Sequence, residues 1–156
     1  MTKEEKDKKQ IELVTAICLG NQSAVSFCQL WVQYCDEIDN LIDTVEDGRP
    51  IFTKEHILRV FVMAIEVYNH PFFVLHRDML KMVAVLVTNT YTDSVLWERD
   101  PLESRRRMAD TLRFCGNDMI FAISTICGGY NHTRKISQII RDGDWSYHHD
   151  EKGRPH

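Results

Sequence analysis

The chain has 156 residues, 44% hydrophobic and 27% charged, with a formal net charge of -4; that supports one domain around a single core and gives no electrostatic footprint for nucleic acid or a membrane surface. No apolar run approaches the roughly 18 residues of a membrane span, and the opening MTKEEKDKKQ lacks the apolar stretch of a signal peptide. Five cysteines (Cys18, Cys28, Cys35, Cys115, Cys127) with no C-x-x-C pair favour a reducing cytoplasm over a disulfide framework or structural zinc.

The hydrophobic period is helical nearly throughout, which predicts an all-α, single-domain bundle of about six helices, mostly antiparallel. The first helix covers about residues 5–19 and stops at Gly20. The second runs from an Asn21 or Ser23 cap to about Thr44, where VEDGRP turns the chain. One direction of its wheel collects Phe27, Trp31, Tyr34, Ile38, Leu41 and Ile42, and Asp36, Asp39, Asn40 and Asp43 fall nearly opposite. Val25 and Val32 lie on the acids' side one and two turns earlier. The acids therefore either form a solvated face or line the mouth of a cavity.

Thr53, followed by Glu55 and His56, opens a third helix that breaks at His70-Pro71 and carries a polar strip of Arg59, Glu66 and His70. Glu66 and His70, spaced i and i+4, either pair with each other or ligate a metal. The fourth helix spans about 72–98, with Met79, Met82, Leu86, Asn89, Asp93, Leu96 and Trp97 in one arc. A carboxylate on such a stripe costs several kcal/mol unless paired or coordinated, so Asp93 requires a compensating partner. After the Asp100-Pro101 break, a fifth helix runs to Gly128-Gly129. Its start holds Arg105, Arg106 and Arg107 between Glu103 and Asp110, the pattern of a solvated helix end. Further along, Asp118 falls on the stripe Thr111, Phe114, Cys115, Phe121, Ala122 and Thr125, beside Asn117, where it either forms a buried pair with a residue such as Arg113 or Arg134 or serves as a ligand. A sixth helix covers 131–141, so that 1–141 form the bundle and 142–156 an irregular polar tail.

Carboxylates on three helices could converge. Oxygen-rich sets of this kind favour Mg²⁺ or Mn²⁺, with Asp36, Asp39, Asp43, Asp93 and Asp118 as ligands and Asn40, Asn89 and Asn117 orienting substrate or water over a diphosphate. The stretch YCDEIDNLID (34–43) resembles the first aspartate-rich motif of squalene and phytoene synthases. There a tyrosine and cysteine often precede D-x-x-x-D, matched here by Asp39 and Asp43, while Asn40 stands where a second aspartate is usual. SQIIRDGDWSYHHDEKGR (137–154) is similar to that family's second motif, with Asp142 matching the aspartate after the arginine. The resemblance implies an all-α isoprenoid synthase fold and Mg²⁺-bound diphosphate.

Two functions follow as expectations. One is a non-catalytic interaction or structural module, a homo-oligomer or the binder of a protein partner, with the acidic face as docking surface and the HPFF segment (70–73) plus Trp97 as an apolar patch. The other is a Mg²⁺-dependent enzyme acting on a diphosphate-containing substrate.

Overall fold

Polar, strongly helix-forming residues open the chain and reciprocal caps start it. In the computed structural model, which describes residues 2–46 and 53–148, Thr2 N–H donates to Glu5 Oε2 (2.7 Å) and Glu5 N–H to Thr2 Oγ1 (3.2 Å). This capping box satisfies two of the donors a helix start leaves open. Helix α1 (Lys3–Ile17) is solvated for three turns and buries only its end, through Val14 and Ile17. It closes with Gly20 N–H on the Thr15 carbonyl and Leu19 N–H on that of Ala16, a Schellman closure. Leu19 itself takes the left-handed position, at φ 48°.

Asn21 Oδ1 accepts from Ala24 N–H (3.1 Å) and starts α2 (Gln22–Glu46). Ala24, Phe27, Cys28 and Trp31 are buried at the i, i+3, i+4, i+7 spacing of one helical face. Helix α2 reaches Glu46, two residues past its expected end, and the rest of the turn expected at 45–50 lies outside the described residues. Thr53 Oγ1 then caps α3 (Lys54–Asn69) through His56 N–H. Contacts of His56 with Glu37 and of His70 with Ser26 set α3 antiparallel to α2.

The fourth expected helix is two helices. Pro71 sits at the first position of the one-turn α4 (Pro71–Leu75), where its missing N–H costs nothing, and the chain rotates at His76 before α5 (Arg77–Trp97). His70 Nδ1 accepts from Phe72 N–H (3.1 Å) and its Nε2 meets Ser26 Oγ (3.0 Å). Neither ring nitrogen is left for Glu66, and burial lowers the pKa of the ring. Phe72 and Phe73 are buried against Phe27, with centroids 5.7 and 5.9 Å away. The HPFF segment is therefore core and not a surface patch, and Trp97 is half-buried under the Arg105 guanidinium.

Asp100 Oδ1 accepts from Leu102 N–H at 2.9 Å, and Arg105 and Arg106 bind Asp100 and the Pro101 carbonyl. Arg105 and Arg106 thus fasten the turn before α6 (Glu103–Leu112), and Arg107 pairs with Glu103 in its first turn, as a solvated helix start should. The fifth expected helix is also interrupted: a 3₁₀ turn, Arg113–Gly116, separates α6 from α7 (Asn117–His148). Ser94 Oγ donates to the Ala109 carbonyl (3.1 Å) and Cys115 Sγ to that of Val87 (3.4 Å), which holds α6 and the turn antiparallel on α5.

Helix α7 bends at Gly129 (φ 80°, ψ -177°), and Thr133 braces the bend through Ser124 and Thr125. His132 Nε2 donates to the Ile17 carbonyl at 2.9 Å, satisfying the end of α1. The tail expected to be irregular from 142 is helical as far as His148; positions 149–156 lie outside the described residues. There are six helices of ten residues or more and no strand among the described residues; α1, α2, α3, α5 and α7 share one core, while α6 buries Ala109 beside α5. None of these helices is long and apolar enough to cross a membrane.

Candidate functional site

The acidic run of α2 opens into a cleft. Once past Trp31, whose indole N–H donates to the Gly116 carbonyl (3.0 Å), α2 diverges from the core and its inward residues become half-buried. The resulting space, about 620 Å³, lies between α2, α5 and the 3₁₀ turn. Aromatic rings line it (Trp31, Tyr34, Tyr68, Tyr91, Phe114), with Asp36 and Asp39 on one side and Arg113 on another. Tyr91 Oη donates to Asp39 Oδ1 at 2.7 Å. Burial raises the Tyr91 pKa, and the bond to Asp39 and the charge of Asp43 push it further. The Asp36 carboxyl is raised by burial first, then by Asp39 and Glu37.

Glu37 turns away from this cleft toward α3. Its Oε2 lies 2.7 Å from His56 Nε2 and 4.0 Å from Arg59 Nε. His56 Nε2 makes no hydrogen bond in that approach. Two thiols also face the cleft. Burial and the Asp36 charge push Cys35 up to about 12, while burial and Asp118 push Cys115 up to about 11. Both stay protonated at neutral pH and make poor nucleophiles.

Of the residues expected to ligate a metal, Asp36 and Asp39 share the cleft, and Asp43 is exposed near Tyr91. Asp93 and Asp118 do not line it. Neither stands on a core stripe. Around Asp93, the side chains of Met79, Met82, Leu86 and Leu96 are exposed, and α5 buries Leu80, Ala84, Val87 and Ser94 instead. Asp118 is exposed in the first turn of α7, where the helix dipole favours a carboxylate. The misplacement of Asp118 has a geometric cause: a 3₁₀ turn advances about 120° per residue against about 100° in an α-helix, so four residues rotate the inward face by about 80°. Cys115, Met119, Ile120 and Ile123 take the core.

Asn40 is exposed on α2, and Asn117 is half-buried at the start of α7. Asn89 lines a second, shallower groove of about 670 Å³ with Tyr68, Phe73, Arg77 and Val85. Among the described residues, no group of three His, Cys, Asp or Glu side chains is placed to hold a metal ion.

A larger feature lies on α3. This helix fully buries only Val67, while Leu58 (63% exposed), Phe61 (64%), Val62 (51%) and Ile65 (50%) stand in water beside Ile57. Val74 and Leu75 on α4, and Met79, Met82, Val85 and Leu86 on α5, extend the exposure. Eleven of the eighteen large exposed hydrophobics among the described residues thus fall within positions 57–86, a concentration that chance scatter does not explain. An aromatic residue carries roughly 150–250 Å². At on the order of 100 Å² each, the five on α3 expose roughly 500 Å², the size of the largest apolar patches of ordinary monomers. The polar strip of α3 was legible in the sequence, but this apolar outer stripe was missed. Its signal was a second set of apolar positions, 58, 61, 62 and 65, in a helix whose core needs were met by Val60, Met63, Ala64, Val67 and Tyr68.

Compared with known proteins, the chain matches no family model, no curated protein and no solved structure.

Proposed function

We propose that this chain is a non-catalytic docking module whose working surface is the apolar face of α3, continued by α4 and α5. The observation that carries the reading is the stripe Leu58, Phe61, Val62 and Ile65, at least half exposed along its length. Those positions have the i, i+3, i+4, i+7 spacing through which helices seat in a groove or against another helix. Such a helix gains nothing from displaying apolar groups to water, and each side chain moved out of water is worth about 1–2 kcal/mol at the exposures found. The thiols of the α2 cleft, held protonated at neutral pH, give it no thiolate nucleophile.

Uptake of a solvatochromic hydrophobic dye by the native protein tests the reading. In protein dilute enough to hold single chains, dye fluorescence should rise with the wild type and fall in Phe61→Lys and Leu58→Lys, while far-ultraviolet circular dichroism and the melting midpoint at that dilution stay nearly unchanged, as expected for surface substitutions. A loss of several kcal/mol of stability in both variants would show that the stripe is internal and would end the reading.

A further inference from the structure

The occupant of this face can be identified from the symmetry of α3 itself; the inference rests on the docking reading above. Phe61 and Val62 sit at the middle of the stripe, with Leu58 and Ile65 at its two ends. A two-fold axis through that middle lays Leu58 over the partner's Ile65 and Phe61 over the partner's Val62, so the surface is its own complement, the condition for an isologous pair.

The charges agree with that arrangement. Arg59 and Glu66 are seven residues apart, two helical turns, and therefore lie on the same flank of the stripe. Both are exposed, and Arg59 reaches Glu37 of its own chain only at 4.0 Å. In an antiparallel pair, residues on one flank of a helix meet the same flank of the other, as in antiparallel coiled coils. Arg59 then stands within about 3 Å of level with the partner's Glu66, a gap that two long side chains span, and the pairing occurs twice. A parallel pair would instead put this flank of the two chains on opposite sides of the interface, and Arg59 and Glu66 would have no partner across it.

Area points the same way. Two α3 stripes of four side chains packed together bury at most on the order of 800 Å² of apolar surface against the roughly 1,200 Å² at which specific interfaces begin; the flanking Ile57 and the stems of Arg59 and Glu66 supply the remainder. We propose that α3 pairs antiparallel with α3 of a second copy of this chain, through Leu58, Phe61, Val62 and Ile65, with reciprocal Arg59–Glu66 ion pairs fixing the direction.

Sedimentation equilibrium of the full chain tests this, with circular dichroism to confirm folding of each variant. Wild type should be a dimer and Phe61→Lys a monomer. Arg59→Glu alone and Glu66→Arg alone should each weaken the dimer about tenfold at low salt. The double variant Arg59→Glu/Glu66→Arg should recover it, and an equimolar mixture of the two single variants should form a heterodimer tighter than either homodimer. Because the nearby Glu37 meets the same reversed charge in Arg59→Glu and in the double variant, recovery cannot arise within one chain. A dimer indifferent to these exchanges overturns the antiparallel α3 pairing. A wild type that stays monomeric but takes up hydrophobic dye at Phe61 overturns the second copy and leaves the docking reading standing. A monomer that takes up no dye overturns both.

Discussion

Asp36 illustrates how position turns one of several similar acids into a distinctive group. It shares a helix turn with Asp39 and a cleft with five aromatic side chains, and burial, Asp39 and Glu37 all raise its carboxyl above the ordinary value of 3.8. An acid whose folded pKa exceeds its unfolded one is charged at a cost to the native state. That cost is absent below the unfolded value, grows as pH rises through the folded value, and is complete above it. Asp36→Asn should therefore raise the melting midpoint at pH 7, and the two melting curves should converge below pH 3.8. A gain independent of pH in thermal melts from acid to neutral would contradict the assignment. The sequence showed that Asp36, Asp39, Asn40 and Asp43 lay opposite the main apolar direction of α2, and their exposure agrees. It did not show Tyr91, whose hydroxyl meets Asp39 across fifty-two positions of chain, because such a contact has no local signature.

Among the elements, ends and breaks were legible while facings were not. Thr53 as a cap, the stop at Gly20 and the break at Asp100-Pro101 rest on hydrogen bonds and torsions within a few residues, and the structure has each of them; Gly128-Gly129, expected to end a helix, instead bends α7. The bend has a sharp consequence. Gly129 lies at φ 80° and ψ -177°, a region essentially restricted to glycine. Gly129→Ala should lower stability by about 1–3 kcal/mol in urea unfolding with little change in slope, even though an added Cβ there meets no atom within 4 Å. The cost is torsional and not steric, so a neutral outcome would mean that the bend relaxes. Facings failed on α5 and at Asp118. Helix α5 is apolar over so much of its circumference that its period allows several inward directions. The small residues Ala84 and Ser94 decide the matter by admitting close neighbours: Ser94 donates to the Ala109 carbonyl of α6.

For the whole molecule, the docking proposal makes stability depend on concentration. A dimer that melts to unfolded chains gains native-state stability by mass action, so the melting midpoint of the wild type should climb with protein concentration in differential scanning calorimetry. That of Phe61→Lys should stay constant. Identical concentration responses in the two proteins would argue against any coupling of the α3 face to folding. The sequence by itself determined the all-α class, the number of long helices and most of their ends, because capping, turn chemistry and the 3.6-residue period act over a few neighbouring positions. Only the tertiary structure decided which of the apolar arcs on α3 and α5 became core, that the HPFF segment lies inside, and that the α2 acids border an aromatic cleft. Those outcomes depend on which helices meet and at what rotation. A 3₁₀ turn of four residues, or one small side chain at a crossing, is enough to set that rotation, and neither changes the hydrophobic pattern that the sequence displays.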